Sequence, residues 1–471
     1  MKELEGIQSV LVVGLGLSGK AAASKLLDIG LRVTANDIST SPELIRSTRE
    51  LAERGARVEL GHHDLDLLSG GDLIVVSPGV PARLPLLRRA VERGIPVWGE
   101  IEMASRFVRG PLIAVTGTNG KTTTVSMIER ILRQAGKGIH VAGNIGYPLI
   151  EAVDEMDEGD TVVVEVSSFQ LVHTVEFHPE VAVLLNIAED HFDWHMHLEE
   201  YVEAKRRIWM NQNHGDLVVC NLDDPLCVEA VRDSPSTVLY FSKLPDPPAT
   251  TFLRRGRIVS LSRRGGVGES RPIEVMRADS LPLPGEHNVE NAMAAVSVGL
   301  ACGVEPGVVA EALESFEGLH HRLEYVAEVE GVRFFDDSKA TNPHAASRAL
   351  SAFHEPLVII LGGKNKGLDF QDLAMAVAER YRGGGVRAVY TIGDAAPEIE
   401  DALVRVEPGL DTGRLPGLEE VFEHLPRVAK PGDVVLFSPA CASFDRYDDY
   451  RHRGDHFREM VESLRGGLLE R

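Results

Sequence analysis

Short apolar runs alternate with amphipathic stretches of helix length along most of the chain. Most of these runs are rich in Val, Ile and Leu and end in glycine or polar residues, which is typical of strands in a parallel sheet with both faces covered. The clearest runs cover residues 10–13, 31–35, 73–76, 95–98, 112–116, 161–166, 181–186, 217–220, 237–241, 332–335, 357–361, 386–391 and 433–437. Helical patterns lie between many of them, so the sequence predicts an α/β fold with helices on the faces of parallel sheets.

A glycine-rich loop with the sequence Val-Thr-Gly-Thr-Asn-Gly-Lys-Thr-Thr-Thr occupies residues 115–124. Gly117 and Gly120 let the backbone bend so that its N–H groups converge on phosphate oxygens at the start of the following helix. Lys121 adds a full positive charge, and the hydroxyl of Thr122 is suited to a magnesium ion bound to the nucleotide. We expect an ATP-binding loop here; the alternative is a turn that only joins a strand to a helix.

Three glycines near the N-terminus follow the first apolar run. Gly14, Gly16 and Gly19 have the spacing G-x-G-x-x-G, and Asp37 ends the next strand. Alone, this pattern is a dinucleotide-binding fingerprint with a carboxylate for the ribose, as in an NAD-dependent oxidoreductase. The geometry requires only a diphosphate at a helix N-terminus, and a UDP group provides one as well. Both ligands stay open at this point.

The length of 471 residues suggests about three domains. The motifs divide the chain into residues 1–105, 106–317 and 318–471. We predict a Rossmann-like N-terminal domain, a central ATPase domain of the P-loop type and a C-terminal Rossmann-like domain that closes over the nucleotide.

Composition limits the classes of partner and compartment. A net charge of −22 argues against nucleic-acid binding, which needs a basic face. No apolar stretch approaches the ~20 residues of a membrane helix, and the N-terminus has no secretion signal. The four cysteines contain no C-x-x-C pair and are expected to be free thiols. We expect a cytoplasmic monomer that binds small molecules and no membrane.

Side chains of metal-ligand type follow two of the central strands. Glu165 ends a β-branched strand beside the phosphate loop, where a carboxylate is well placed to bind magnesium; the alternative is a surface glutamate. The next strand is followed by His191, His195 and His197, whose spacing matches no closed zinc site. We expect a functional role for His191 and ordinary exposed side chains at His195 and His197.

A lysine lies on the apolar stripe of the helix predicted at 199–210. Lys205 is four positions after Tyr201 and three before Ile208, so its side chain must face inward. One interpretation is a side chain that extends along the surface to solvent. The other is a desolvated amine that takes up carbon dioxide and becomes a carbamate, which is an anionic metal ligand.

Further polar clusters follow later strands. Asn288 and Asn291 share one helix face and could hydrogen-bond a nucleotide base or ribose. Arg322 opens the third segment, where a guanidinium can reach phosphates when domains close. Ligands of open α/β sheets bind at the carboxyl ends of strands. Polar clusters of this kind occupy residues 336–342, 362–366 and 438–445.

These motifs resemble those of the Mur ligases of bacterial peptidoglycan synthesis, and the resemblance covers essentially the whole chain. The family motifs are G-T-N-G-K-T at 117–122, G-N-I-G at 143–146, E-V-S-S-F-Q at 165–170, E-D-H-x-D at 189–193, H-N-x-x-N at 287–291, H-R at 321–322 and D-S-K-A-T-N at 337–342. The segment S-P-A-C-A-S-F-D at 438–445, with Tyr450 and Arg453-Gly454-Asp455, is similar to the D-glutamate-adding branch. The Asp-Asn-Pro-Arg motif of diamino-acid-adding relatives is absent.

The resemblance implies ATP and two magnesium ions as ligands. The ATP-binding residues that it implies are Gly117, Thr118, Asn119, Gly120, Lys121, Thr122, Thr123, Thr124, Asn288, Asn291, Arg322 and Asp337. One magnesium ion would lie on Thr122 and Glu165, and a second on His191 and a carbamylated Lys205. The catalytic residues that it implies are Lys121, His191, Lys205 and Arg322.

The resemblance also implies two substrate sites. The residues expected to contact the UDP-sugar are Leu17, Ser18, Asp37, Ile38, Ser39, Gly79 and Asn144. Those expected to bind D-glutamate are Lys339, Thr341, Lys366, Ser443, Phe444 and Tyr450. Relatives can have arginine where Ser39 stands, so this position departs from the family pattern on the uracil side.

The activity implied is ATP-dependent addition of D-glutamate to UDP-N-acetylmuramoyl-L-alanine through an acyl phosphate. Another amide-forming ligase, such as a folylpolyglutamate synthase, is the alternative within the same chemistry, although the N-terminal glycine pattern argues against it. An NAD-dependent oxidoreductase would explain residues 9–37 and leave the phosphate loop unused. A nucleotide-gated binding protein is a third possibility.

Overall fold

The computed structural model of the chain describes residue 4 and residues 6–144, 147–190, 194–262 and 271–469. The chain divides into two compact units. The first comprises Met1–Ile187, His197–Arg277 and Asn291–Leu313, and the second Ala188–Met196, Ala278–Glu290 and Glu314–Arg471. In the described ranges, no helix is both long and apolar enough to cross a membrane.

The first sheet has five parallel strands: β1 (Ser9–Val13), β2 (Arg32–Asp37), β3 (Arg57–Leu60), β4 (Leu73–Val76) and β5 (Val97–Gly99). Their order is β3-β2-β1-β4-β5, which is the doubly wound order of a Rossmann-like domain. The winding reverses between β1 and β4, so the glycine-rich loop after β1 lies where such folds bind ligands. The helices of this part are α1 (Leu17–Asp28), α2 (Pro42–Ser47), α3 (Arg49–Glu53), α4 (Pro85–Glu92) and α5 (Glu100–Ser105).

The second sheet has nine strands in the order β14-β13-β12-β11-β10-β9-β6-β8-β7. They are β6 (Leu112–Thr116), β7 (Ile139–Gly143), β8 (Thr161–Glu165), β9 (Val181–Leu184), β10 (Leu217–Asn221), β11 (Thr237–Ser242), β12 (Ala249–Arg254), β13 (Arg257–Ser262) and β14 (Arg271–Arg277). The strands from β7 to β12 pair in parallel, and β13 pairs antiparallel with both of its neighbours. The helices along this stretch are α6 (Lys121–Gln134), α7 (Leu149–Ala152), α8 (Ser168–Leu171), α9 (Leu198–Arg206), α10 (Pro225–Ala230), α11 (Glu286–Ala301) and α12 (Pro306–Glu314).

The third sheet lies in the second unit and has the order β15-β16-β20-β17-β18-β19. Its strands are β15 (Glu324–Val329), β16 (Val332–Asp336), β17 (Leu357–Gly362), β18 (Val386–Ile392), β19 (Thr412–Arg414) and β20 (Val434–Phe437). All pairs are parallel except β15 with β16. The helices are α13 (Pro343–Leu350), α14 (Gln371–Arg382), α15 (Ala396–Val406), α16 (Leu418–Val428) and α17 (Tyr450–Leu469), and an apolar cluster fills each face of the sheet.

The α/β fold predicted from the apolar runs is confirmed. Each predicted run contains or overlaps a strand, because buried β-branched residues satisfy strand propensity and burial together. Helix α9 is shorter than the 199–210 predicted and ends at Arg206. The turn between β12 and β13 has positive φ at Arg255 and Gly256, and residues 263–270 lie outside the described ranges.

A buried carboxylate joins the first two sheets within the first unit. Glu102 on α5 is fully buried and accepts hydrogen bonds from the backbone N–H groups of Val175, Glu176 and Phe177, at 2.8–3.1 Å. Arg106 donates to the same carboxylate, and its guanidinium lies 3.9 Å from the centre of the Trp98 ring. A charged group is buried at this depth only when its oxygens are satisfied, so these contacts fix α5 against the segment that leads into β9.

Candidate active site

The phosphate loop runs from the end of β6 to the start of α6. Gly120 has a φ of +85°, and a Cβ atom there would lie 2.3 Å from Oδ1 of Asn291, so the position excludes any side chain. Lys121 donates from Nζ to the carbonyl oxygens of Gly117 and Thr118, at 2.8 and 2.9 Å. The lysine therefore arches over the loop, with its charge beside the backbone N–H groups that would hold phosphates.

Two oxygen ligands of the type that magnesium prefers lie in contact at this loop. Thr122 Oγ1 donates to Glu165 Oε2 at 2.8 Å, and the other carboxylate oxygen accepts from Asn144 Nδ2 at 2.8 Å. Glu165 is 2% exposed at the end of β8. A hydroxyl and a carboxylate oxygen side by side match the oxygen ligand set of magnesium, so the residues present fit the predicted ion. The alternative of a surface glutamate is excluded by its burial.

Side chains that follow β9 and lie on α9 hold the phosphate loop in place. Asn186, just after β9, accepts from the backbone N–H of Asn119 at 2.8 Å and donates to its carbonyl at 2.9 Å. The hydroxyls of Thr118 and Tyr201 are 3.0 Å apart. An asparagine at a strand end opposite a phosphate loop is the only sequence signal for the first contact, and it is a weak one because Asn also favours ordinary turns.

Lys205 faces inward, as predicted. It is 1% exposed on α9, and Tyr201 and Ile208 on the same stripe are equally buried. Its Nζ lies 4.5 Å from the centre of the Tyr201 ring and 3.4 Å from Thr116 Oγ1. The interpretation in which the amine extends along the surface to solvent is therefore wrong, because the apolar stripe draws the whole side chain into the interior.

One of the three histidines of the 189–197 segment differs from the prediction. His191 lies outside the described residues. The prediction of an exposed side chain at His195 is wrong: it is fully buried, and its ring lies edge-on to Trp194 with 4.9 Å between ring centres. The neighbouring aromatic ring supplies an apolar surface that the loop assignment did not anticipate. His197 is exposed, as predicted, and its Nδ1 caps α9 by accepting from the N–H of Glu200 at 3.4 Å.

The glycine-rich loop after β1 is built for close packing. A Cβ atom at Gly19 would lie 1.8 Å from the carbonyl oxygen of Gly14, so α1 can approach β1 only because residue 19 is a glycine. Asp37 at the end of β2 accepts from the N–H of Leu15 at 2.6 Å and of Ser39 at 2.8 Å. This carboxylate therefore fixes the two loops that border the site, in addition to any contact with a ligand.

Several predicted contacts of the UDP-sugar lie on the loops around this site. Leu17 and Ile38 are 75% and 61% exposed, so both apolar side chains face solvent. Ser39 and the backbone of Gly79 follow β2 and β4 at the same edge of the sheet. Ser18 lies in the first turn of α1.

In the second unit, Asp337 is buried just after β16. Its carboxylate accepts from Ser438 Oγ at 2.7 Å and from the N–H of Leu323 at 3.2 Å. Burial raises the pKa of Asp337 to about 7, although these hydrogen bonds and the nearby charge of Arg322 oppose the rise. A carboxyl group tuned in this way at a strand end is a common feature of ligand sites.

A buried pair beside Asp337 was missed from the sequence. His321 Nδ1 lies 2.7 Å from Asp336 Oδ2, and that hydrogen bond raises the pKa of the imidazole. A Cβ atom at Gly454 would lie 2.1 Å from His321 Nδ1, so the R-G-D segment packs directly on the pair. Arg453 is 1% exposed and donates to the carbonyl oxygens of Ser338 and Cys441, at 2.7 and 3.0 Å. The sequence indicated these residues only through their family motifs and did not predict that they contact one another.

The predicted D-glutamate residues of the second unit lie on neighbouring loops. Lys339 Nζ is 5.1 Å from the centre of the Tyr450 ring, so these two are brought together. Burial raises the pKa of the Cys441 thiol, and the nearby positive charge of Lys366 opposes this rise. Ala440 has a φ of +63°, which is strained for a residue with a Cβ atom and typical of functional loops.

The remaining predicted residues have mixed exposure. Ser443 is 2% exposed, whereas the apolar ring of Phe444 next to it is 66% exposed. Thr341 is partly buried just before α13. Asn288 and Asn291 are buried on α11, and Asn288 Nδ2 donates to the carbonyl of Pro284 at 2.7 Å.

Comparison with known proteins gives the same family over three consecutive stretches. Three family models match: a Mur ligase MurD-like N-terminal domain at residues 8–99, a Mur ligase middle domain at 115–299 and a Mur ligase glutamate ligase domain at 321–441. The UDP-N-acetylmuramoylalanine--D-glutamate ligase of Pelotomaculum thermopropionicum is 42% identical over 460 residues, covering 98% of each chain. The enzyme of the same name from Koribacter versatilis is 42% identical over 455 residues, covering 97% of each.

Solved structures agree in fold. The MurF ligase of Thermotoga maritima in complex with ADP superposes with a TM-score of 0.59 at 17% identity, covering 93% of this chain and 96% of that one. The UDP-N-acetylmuramate-alanine ligase MurC of the same organism gives 0.57 at 23% identity, covering 97% and 99%. With the three family models and relatives at 42% identity over nearly the full length, the chain belongs to the Mur ligase family.

Proposed function

We propose that this chain joins D-glutamate to UDP-N-acetylmuramoyl-L-alanine at the expense of ATP, in the cytoplasmic stage of peptidoglycan synthesis. The observation that most supports this is the nearly full-length match to ligases of that name, together with a phosphate loop whose Thr122 contacts Glu165. The reaction is an acid–amino-acid ligation that forms a peptide bond, the activity EC 6.3.2.9.

ATP binds through the backbone of residues 117–124 and the charge of Lys121. Asn288, Asn291, Arg322 and Asp337 are the proposed contacts with the rest of the nucleotide. Magnesium would be held by Thr122 and Glu165, where it supplies positive charge to the phosphate oxygens.

A second magnesium site is proposed on His191 and Lys205. A lysine amine is a poor ligand as a cation, but its carbamate is an anion with two oxygens. The burial of Lys205, which disfavours the ammonium form, supports this modification.

The chemistry follows from the weakness of a carboxylate as an electrophile. An oxygen of the alanyl carboxylate attacks the γ-phosphorus of ATP, the bond to the bridging oxygen breaks, and ADP leaves. The neutral amine of D-glutamate then attacks the acyl phosphate and expels inorganic phosphate, with loss of one proton from nitrogen. Lys121 and Arg322 are the residues proposed to stabilise the charge that gathers on the transferred phosphoryl group.

Two substrate sites are proposed, one around the loops that follow β1 and β2 and one on the loops of the second unit. The UDP-sugar would contact Leu17, Ser18, Asp37, Ile38, Ser39, Gly79 and Asn144. D-Glutamate would contact Lys339, Thr341, Lys366, Ser443, Phe444 and Tyr450. The domain boundaries at 105/106 and 317/318, a monomeric state and the cytoplasmic location belong to the same proposal.

The acyl phosphate offers a direct test. Hydroxylamine added in place of D-glutamate should convert it to a hydroxamate of UDP-N-acetylmuramoyl-L-alanine, detectable by mass, with one phosphate released per hydroxamate. Hydroxamate that forms only with ATP and this UDP-sugar supports the proposal. Absence of hydroxamate with this acceptor, and its formation with a folate acceptor, would instead identify the alternative ligase.

A further inference from the structure

Thr116 is the last residue of β6, and its side chain lies between the central sheet and Lys205. The residue is fully buried. Its Oγ1 donates to the carbonyl oxygen of Val166 at 2.7 Å and lies 3.4 Å from Lys205 Nζ. A hydroxyl has one proton, and Thr116 donates that proton in its hydrogen bond to the carbonyl. Only the lone pairs of Oγ1 are therefore left to face the lysine nitrogen. In this contact Lys205 must be the donor.

The orientation of that hydroxyl is fixed by the backbone. The N–H of Val166 donates to the carbonyl of Val115 at 2.9 Å, which places Val166 in register with β6. The N–H of Ser167, in the same peptide group as the Val166 carbonyl, donates to Gln170 Oε1 at 2.9 Å. The carbonyl of Val166 is therefore held in place, and the hydroxyl of Thr116 has a fixed acceptor for its proton. The lone pairs of Oγ1 that face Lys205 therefore form a directional acceptor, whether the lysine is an ammonium, an amine or a carbamate.

The number of N–H groups on Lys205 changes with its chemical state. An ammonium has three, a neutral amine has two, and a carbamate nitrogen has one. The carbamate nitrogen is planar, so the direction of its single N–H also sets the direction of its carboxylate. The face of the Tyr201 ring, 4.5 Å from Nζ, attracts a cation but provides no directional acceptor comparable to a hydroxyl oxygen.

We propose that Thr116 is a positioning residue for a carbamate on Lys205: it accepts the single carbamate N–H and so fixes where the carboxylate points. This inference rests on the carbamate of the proposed function. When the carbamate forms, the lone pair of the neutral Lys205 amine makes a bond to the carbon of CO2, and one C=O electron pair moves to oxygen. The nitrogen then loses a proton to bicarbonate or water.

The test compares wild type with Thr116→Val, which keeps the branched shape and removes the hydroxyl. With 13C-labelled bicarbonate, carbon NMR should show a carbamate signal in the wild type that is absent in Lys205→Ala. In Thr116→Val, the bicarbonate concentration needed for half of this signal should rise about three- to tenfold, the effect of one lost hydrogen bond. The same shift should appear in the bicarbonate dependence of phosphate release, with an unchanged KM for ATP.

Two variants distinguish a positioning role of the Thr116 hydroxyl from a nonspecific loss of structure. Thr116→Ser keeps the hydroxyl and should stay within about twofold of wild type, since its acceptor remains. Thr391→Val makes the same change at another buried strand position whose hydroxyl has no hydrogen-bond partner among the described residues, and it should not shift the bicarbonate dependence. If Thr116→Val does not fold, Thr116→Cys takes its place, because a thiol is a weak acceptor.

A wild-type bicarbonate dependence in Thr116→Val, or a shift of equal size in Thr391→Val, would overturn the inference. A wild type without any carbamate signal would overturn it as well. That result would leave the proposed ligase activity standing, provided that phosphate release still required D-glutamate.

Discussion

Thr122 Oγ1 donates a 2.8 Å hydrogen bond to Glu165 Oε2, which joins the first turn of the helix after the phosphate loop to the end of β8. The other oxygen of Glu165 accepts from Asn144. The carboxylate is thus oriented from both sides before any ligand arrives. Such preorganisation lowers the cost of placing a cation against the phosphates of ATP.

Glu165→Gln keeps the size of this side chain and removes its charge. We expect the affinity for magnesium to fall by at least roughly 10- to 100-fold, which is the loss when a group that only orients a metal ligand is removed, and phosphate release at fixed magnesium to fall with it. A magnesium titration of the steady-state rate measures this. Glu180→Gln is the control, because Glu180 is exposed and its carboxylate accepts the N–H of Leu112 at 2.6 Å, away from the phosphate loop. Equal magnesium requirements in the two variants would contradict the metal assignment.

Gly120→Ala should weaken nucleotide binding. The alanine would have to adopt a φ near +85° and would press its Cβ atom against Asn291 Oδ1, so the loop must move. We expect at least a tenfold loss of ATP affinity by calorimetry, on the order of 1.4 kcal/mol. Gly136→Ala is the matched control, since Gly136 has a φ of +76° with no atom within 4 Å of its Cβ position. The control should lose about 1 kcal/mol of stability and keep its ATP affinity.

Asp37→Asn should weaken binding of the UDP-sugar without changing ATP binding. The carboxylate accepts from the N–H groups of Leu15 and Ser39, and an amide offers only one oxygen for these two donors. We expect KM for the UDP-sugar to rise about tenfold, in line with the loss of a hydrogen bond to a charged group. Asp64→Asn, an exposed change in the same domain, serves as the control. A rise in the KM for ATP of the same size would argue for general damage instead.

The stability of the protein should depend on pH through Glu100. Burial raises the pKa of this carboxyl to about 7 from 4.5, and the charge of Glu151 adds to the rise. The folded state therefore binds the proton more tightly than the unfolded chain, so stability is lost as pH rises from 4.5 to about 7 and is constant above that. Glu100→Gln cannot ionise, and its free energy of unfolding relative to wild type should rise across this window by up to roughly 3 kcal/mol.

Urea unfolding at pH 5 and pH 8 measures this difference. Glu53→Gln, at an exposed position on α3, should show the same difference from wild type at both pH values. A Glu100→Gln variant whose difference from wild type does not change with pH would show that the carboxyl is already ionised at pH 5.

The fold could be predicted from sequence where burial and propensity agree. The apolar runs that became β6 and β8 are buried on both faces, so hydrophobic pattern alone locates them. The inward direction of Lys205 followed from its helical spacing with Tyr201 and Ile208. In each case one physical requirement, burial of an apolar face, determined the position of the strand or the direction of the side chain.

The rest depended on contacts between distant parts of the chain. His195 is fully buried, and a polar loop pattern contains no signal for such burial. The pair of His321 with Asp336 forms only when β16 and the turn before β15 meet. Thr116 is an ordinary strand residue in sequence, and its contact with Lys205 spans 89 positions.

The central claim is tested most directly by ATP-dependent phosphate release with UDP-N-acetylmuramoyl-L-alanine and magnesium in bicarbonate buffer, comparing D-glutamate, L-glutamate and no amino acid. The account predicts sustained release with D-glutamate and no more than the background of the amino-acid-free reaction with L-glutamate. Equal release with both enantiomers, or none with D-glutamate, would contradict it.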